Sequence, residues 1–490
     1  MSPPPAGPTA DPTVTLGEGT LRGRRRRGSG GEVAEFLGIR YATAARFAAP
    51  QPVAPWTGVR DAVERGPVSP QLPARVAPVT GPSPDDRSGT ARQDEDCLRV
   101  DVRAPAAALT DGVPRPVLVW LHGGAYVIGS ATTSWYDTSR LVAEGDVVTV
   151  SVGYRLGILG WLAAPGVSDG NLGLLDQLAA LRWVHEHGAA FGGDPDQVTL
   201  MGHSAGAHSI ACLMTVPEAR PLFRRVILQS GQLGLGLSSP DRAARVARYV
   251  AEGLDGADPR TADVAALLAA QRHAMIRAAG PGGLDSSPAF APTDGVPPLS
   301  PGVSWTDAAA AGHDVLVGST ADEAETFARI SPVLWGLRRL PVLGRVTSAG
   351  VNVATRRVFG APAERFADDA ARSGARTHSY RFAWRAPASR LGACHCIELP
   401  FLFGARDAWE GAPMLGGADW DVDVEPLGAV LRGAWLQFVR TGNPWTDALP
   451  WPPHSPGRGP TVVLDRETER RGARSPDART VSTPRNGHTR

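Results

Sequence analysis

The feature that most narrows the fold is a set of short apolar runs, each followed by a turn and then a helical pattern. Residues 117–121 read Val-Leu-Val-Trp-Leu, with no polar position. A sheet with one wet face alternates apolar and polar side chains, so an unbroken run implies burial on both faces. Residues 147–152 form a second strand, and 198–201, 226–228, 314–317 and 379–382 form shorter ones. Between them lie helical patterns. Residues 172–187 carry Leu174, Leu175, Leu178, Leu181, Trp183 and Val184 at helical spacing. Residues 205–214, 360–375 and 427–439 also read as helices, the last with Leu431, Trp435 and Phe438 on one side. The Ala-, Arg- and Asp-rich stretch 240–312 is expected to be helical. Strands alternating with helices imply an α/β fold, with a mostly parallel central sheet and helices on both faces.

The ends and the long connections are of a different character. Residues 1–12 are rich in Pro and Ala and read as a disordered tail, and 465–490 are polar and charged and read as a second one. Residues 13–33 suggest a β-hairpin with its arginines at a solvated tip. Residues 69–97, rich in Pro, Ser and Asp and without aromatics, read as a loop. This leaves 13–464 as one domain, since large α/β enzymes can exceed the usual domain length. The net charge of +1 gives no reason to expect nucleic acid or an anionic membrane as partner. No apolar stretch approaches the ~18 residues of a membrane helix. Arg24 to Arg27 are followed by a Gly-rich polar segment, not the apolar run of a twin-arginine signal. The four cysteines, Cys97, Cys212, Cys394 and Cys396, are too few and scattered for a disulfide framework. A cytoplasmic location follows as the default. All 50 basic residues are arginine, which points to a GC-rich, bacterial genome.

Two motifs carry chemistry. Gly202-His203-Ser204-Ala205-Gly206 has the form Gly-x-Ser-x-Gly, with an apolar strand before it and a helical run after it. That context makes it a nucleophile elbow, in which a sharp strand-to-helix turn lifts Ser204 Oγ clear of the backbone. His122-Gly123-Gly124-Ala125 follows the buried run 117–121. Backbone N–H groups unblocked by side chains suit an oxyanion hole, with Gly123, Gly124 and Ala205 as donors.

With these motifs placed, the sequence resembles the type-B carboxylesterase/cholinesterase family, in its bacterial para-nitrobenzyl-esterase-like form. Matching segments occur in family order: Phe36 to Ala42 with Arg46-Phe47, Glu95-Asp96-Cys97-Leu98, Gly153-Tyr154-Arg155-Leu156-Gly157, Asn171 to Gln177, Phe191 to Pro195, Gln229-Ser230-Gly231, and Thr441 to Pro444. The resemblance implies the α/β-hydrolase fold with helical cap insertions. It also implies ester hydrolysis through an acyl-enzyme intermediate, with no metal and no organic cofactor.

The resemblance supplies the rest of a triad. Gly318-Ser319-Thr320-Ala321-Asp322-Glu323 resembles the setting of the family's acid, which makes Glu323 the candidate; on chemistry alone Asp322 and Glu325 compete with it. The segment from Gly392 to Phe401 resembles the histidine loop, which makes His395 the candidate base. His185, His187, His203 and His208 are assigned to surface or core. The 72 residues from Glu323 to His395 (395 − 323) are few for the family and imply a trimmed cap. Cys394 and Cys396 flank His395, but three consecutive donors do not make a tetrahedral chelate. Cys97 lies where secreted relatives place one end of a disulfide, and Ser69 stands at the partner position, so the bridge is expected to be absent. Residues 69–97 lack the tryptophan with which cholinesterases hold choline. Tyr126, Trp161, Phe327, Phe401 and Phe403 either line an apolar pocket or pack in the core. The expected substrate is a small ester; alternatives are another acyl bond (carbamate, thioester or amide) or a catalytically silent scaffold. A monomer is the default state.

Overall fold

Each apolar run is a strand, and successive residues in a run face two different cores. In the computed structural model, which describes residues 11–28, 31–82, 85, 92–280 and 287–466, Val117, Val119 and Leu121 belong to one core while Leu118 and Trp120 belong to the other. The same alternation separates Val226 and Leu228 from Ile227, and Val315 and Val317 from Leu316. This is the period-2 geometry of a strand buried on both faces.

The strands in chain order are β1 Thr13–Thr15, β2 Thr20–Arg22, β3 Arg24–Gly28, β4 Gly31–Arg40, β5 Val59–Asp61, β6 Arg99–Pro105 and β7 Arg115–Leu121. They continue with β8 Val148–Val152, β9 Gly193–His203, β10 Arg225–Gln229, β11 Asp314–Thr320, β12 Thr377–Phe382 and β13 Val462–Leu464. Ten of them form one sheet in the order β13-β12-β11-β10-β9-β7-β8-β6-β4-β3. From β13 to β8 all neighbours are parallel, and β6, β4 and β3 extend that edge in antiparallel fashion. Helix Leu172–His187 (α1) and helix Ala205–Thr215 (α2) pack into one core, and helix Glu425–Thr441 (α3) packs into the other.

Several expectations need correction. Residues 13–33 form two hairpins: β1 pairs with β2, and β3 with β4, in addition to a small sheet of order β1-β2-β5. The arginines lie in strand β3 and not at a free tip. The β3–β4 register sets Arg24 opposite Glu35 and Arg27 opposite Glu32. Arg24 Nη2 lies 2.8 Å from Glu35, and Arg25 Nη1 donates to Glu32 at 2.7 Å. Residues 29 and 30 lie outside the described residues. Within 240–312, the described residues 287–304, between helices Pro240–Leu254 and Val264–Ala278 and the short helix Trp305–Ala309, are non-helical. Pro292, Pro297, Pro298 and Pro301 explain this, because proline removes a donor and clashes with the preceding turn. Helices Ala324–Ile330, Pro332–Leu337 and Pro341–Ala354 went unrecognised in the sequence. Only Ala324, Ala328 and Val351 form a small buried cluster there, while larger apolar residues such as Val342 and Val346 are 75% and 64% exposed. Among the described residues, the loop at 69–97 contains a helical turn at Ala77–Thr80, and Asp85 is also helical. Residues 83, 84 and 86–91 of that loop, residues 1–10 of the first tail and 467–490 of the second lie outside the described residues.

A buried ion pair fastens the loop after β8 to α1. Arg155 Nε donates to Asp176 Oδ2 at 2.8 Å and Nη2 donates to Oδ1 at 2.7 Å, both side chains being almost fully buried. Arg155 Nη1 also donates to the Ala48 carbonyl at 2.7 Å. Removing one partner strands a charge in a low-dielectric interior. Arg155→Ala is therefore expected to lower stability by about 3–5 kcal/mol, read from urea unfolding against wild type.

Candidate active site

The site stands at the C-terminal ends of the central parallel strands, the position that open α/β sheets use for ligands. β9 ends at His203, and Ser204 turns the chain into α2. Ser204 has φ 57° and ψ −119°, a sparsely populated conformation for a residue with a side chain. It is held there by bonds at both ends: Ser204 N donates to the Gln229 carbonyl at 2.8 Å, and the Ser204 carbonyl accepts from His208 N at 3.0 Å. The turn brings α2 against β7. A Cβ on Gly206 would lie 2.1 Å from the Leu121 carbonyl oxygen, so no larger residue fits this crossing.

Because β7 pairs directly with β9, its following loop emerges beside Ser204. A Cβ added to Gly123 would lie 3.1 Å from Ser204 Cβ. Gly124 has φ 124° and abuts the Ile128 carbonyl, which a Cβ would meet at 1.9 Å. Among the described residues, neither the Gly123 nor the Gly124 N–H has a protein acceptor. His122 before them is buried; burial lowers its pKa to about 4, and its ring stacks on Tyr154 at 4.4 Å.

Glu323 follows β11 and is fully buried. Its Oε1 accepts from Thr320 N at 2.8 Å, and its Oε2 is 2.5 Å from His395 Nδ1. The rival acids are engaged elsewhere. Asp322 accepts from Arg385 Nε at 2.9 Å and from Ala393 N at 2.8 Å, while Glu325 pairs with Arg338. His395 is 5% exposed, and its ring lies 4.5 Å from that of His203, the residue before Ser204. The three candidates thus come together from β9, β11 and the loop after β12. No hydrogen bond joins Ser204 Oγ to His395 among the described residues; such bonds often tighten only when substrate is bound.

Of the five flagged aromatics, Phe327 reaches the site, 5.4 Å from the His395 ring. Phe359, which the sequence did not single out, lies 5.3 Å from it. Tyr126 instead packs on Trp161 at 4.5 Å, and its hydroxyl meets His208 Nδ1 at 2.6 Å. Phe401 packs on Phe382 and Trp384, and Phe403 on Trp120.

Two further groups at the site escaped sequence reasoning. His203 was assigned to surface or core; it is buried, but against His395. Burial, and then the nearness of His395, holds its pKa well below the ordinary histidine value. Its place next to Ser204 was the available signal. Glu398 is a second fully buried carboxyl, accepting from Gln229 Nε2 at 3.0 Å and Tyr380 Oη at 3.0 Å. All four cysteines are free, and Cys97 is buried. Among the described residues no helix is long and apolar enough to cross a membrane.

A ten-stranded, mostly parallel sheet with a Ser-centred elbow at its C-terminal edge defines an α/β hydrolase. Comparisons with known proteins narrow the class. A carboxylesterase-family profile matches residues 10–333 and 343–481. The chain is 42% identical over 461 residues to a probable N-octanoylanthranilate hydrolase of Rhodococcus erythropolis, covering 93% of this chain and 98% of that protein. It is 33% identical over 485 residues to the para-nitrobenzyl esterase of Bacillus subtilis, covering 93% and 95%. A solved para-nitrobenzyl esterase structure superposes with a TM-score of 0.77 at 31% identity, covering 94% of this chain and 99% of that one. The chain belongs to the carboxylesterase family, has the α/β-hydrolase fold, and is an enzyme of ester hydrolysis.

Burial, and then the adjacent Glu323 carboxylate, pushes the Glu398 carboxyl up to about 8 from 4.5. Between those values the folded protein keeps a proton that the unfolded chain has lost. Stability therefore falls as pH rises from about 4.5 to about 8, and then levels off. Glu398→Gln, which is neutral throughout, is expected to flatten that slope in urea unfolding midpoints measured across the window.

Proposed function

We propose that this chain cleaves carboxylic esters by two-step acyl transfer, with Ser204 as nucleophile, His395 as general base and Glu323 as the group that orients it. The observation that carries this reading is the buried Glu323–His395 pair, 2.5 Å apart, beside the Ser204 elbow. Glu323 accepts the Nδ1 proton, which leaves His395 Nε2 as the basic nitrogen and stabilises the imidazolium when it forms. Nε2 takes the Ser204 proton as Oγ bonds to the carbonyl carbon. The Gly123, Gly124 and Ala205 N–H groups receive the oxyanion; losing one such donor costs about 2.7–4 kcal/mol in the transition state. As the tetrahedral species collapses, the C–O bond to the alcohol breaks and the alcohol leaves with the proton from His395. Water then adds to the acyl carbon, gives its proton to His395, and the acid departs as Ser204 Oγ recovers that proton. Each step uses side chains and water alone. Phe327 and Phe359 beside His395 support an apolar group on the substrate. Residues 13–464 act in this reading as one catalytic unit.

A second reading concerns the bond. The relative at 42% identity is named for an N-acyl substrate, N-octanoylanthranilate. The same apparatus serves acyl–nitrogen bonds, and a medium acyl chain on an aromatic leaving group suits the phenylalanines at His395.

The test is release of p-nitrophenol from acetate, butyrate, octanoate and palmitate esters, with N-octanoylanthranilate cleavage run in parallel. Ser204→Ala is expected to abolish turnover and labelling by a fluorophosphonate. Glu323→Gln should lower kcat by about 10⁴-fold, the size of loss seen when a triad histidine is left in the wrong tautomer. Full activity in Glu323→Gln would transfer the role to Asp322 or Glu325. Inactivity of folded wild type on every ester and on the amide would overturn the proposal.

A further inference from the structure

The fold assembles a donor cluster different from the Cys394-His395-Cys396 run visible in the sequence. One ligand atom each from His203, His395 and Cys396 lies within 4.8 Å of the others. His203 comes from the end of β9, and the other two from the loop after β12. Two imidazoles and a thiol are a donor set for a borderline or soft cation and not for calcium or magnesium. His203 is 2% exposed, and its Nε2 is buried without a hydrogen-bond partner, an expensive arrangement in an apolar interior. Glu323 holds His395 Nδ1, so Nε2 is the nitrogen left for a metal. A carboxylate on the far side of a ligating imidazole is the usual outer partner of a metal-bound histidine. Glu323 and Glu398 are both buried, and among the described residues no arginine hydrogen-bonds either one.

We propose that His203, His395 and Cys396 form an inhibitory site for a single thiophilic divalent cation, such as Zn²⁺ or Cd²⁺. Bonds of about 2.0 Å to nitrogen and 2.3 Å to sulfur put tetrahedral donors about 3.3–3.6 Å apart, so the cluster closes by roughly 1 Å on binding. Cys396 is only partly buried. The metal displaces the Cys396 thiol proton to solvent, takes Nε2 of both histidines, and keeps a water in the fourth position. With Nε2 of His395 coordinated, that nitrogen cannot accept the Ser204 proton. Inhibition, though not binding, rests on His395 being the general base.

The full-length protein is titrated with Cd²⁺ in thiol-free buffer. Ultraviolet thiolate-to-cadmium absorption and p-nitrophenyl butyrate hydrolysis are followed together. The expected result is absorption saturating at one equivalent, loss of activity over the same range, and recovery of activity on adding a chelator. Cys396→Ala should abolish the absorption. His203→Gln should weaken binding by about tenfold or more, since even an outer-shell partner is worth 10–100-fold. Each variant is compared with its own metal-free activity. Ser204→Ala should still give the absorption, which keeps a failure of the catalytic reading distinct from a failure of this one. Absence of the absorption in wild type would overturn the proposal. So would absorption that survives in Cys396→Ala, or metal affinity unchanged in His203→Gln.

Discussion

Burial of the parallel sheet on both faces is the constraint on which the rest of this structure depends. Strands such as β7 and β10 put alternate residues into two separate cores, so neither can shift register without exposing one of them. That fixed register holds β7 against β9, and the ends of both strands then define the site. The loop after β7 supplies Gly123 and Gly124, and the turn after β9 supplies Ser204. The strained Ser204 backbone persists because the crossing of α2 over Leu121 leaves no room for relaxation.

The same burial sets the electrostatics. Glu323 and Glu398 share a region that is closed to water, and their partners are neutral donors or His395 and not arginine. Burial, and then the nearness of Glu323, raises the Glu398 carboxyl to about 8. The carboxyl that faces His395 is the one held by the Thr320 N–H and the imidazole itself. Elsewhere in the chain carboxylates are commonly paired with arginine, as Asp176 is with Arg155 and Glu325 with Arg338.

His203 links these features. It occupies a position where a side chain must sit against His395, whatever its chemistry. Burial keeps it neutral, so it adds a ring face and lone pairs to the site without adding charge. The arrangement fills space beside His395 but leaves polar atoms unsatisfied, and Cys396 stands near enough to share a ligand with both imidazoles.

Local pattern was enough for the sequence to establish the α/β class, the six apolar strand runs, the helix after the elbow and the candidates Ser204, Gly123 and Gly124, while Glu323 and His395 came from the family resemblance. Period-2 and period-3.6 burial and the sterics of a Gly-x-Ser-x-Gly turn are properties of short segments, legible wherever they occur. Residue chemistry alone did not choose among the acids Asp322, Glu323 and Glu325; the family resemblance pointed to Glu323, and the path of the chain after β11 turns it to His395 and the others to Arg385 and Arg338. The same holds for the aromatics, where packing put Phe327 and Phe359 at the site and Tyr126, Phe401 and Phe403 in the core. The neighbourhood of His203, the pairing of the β3 arginines and the helices at 324–354 likewise depend on strand order and long-range contact. Those are set by how whole faces pack, and no short stretch of sequence contains that information.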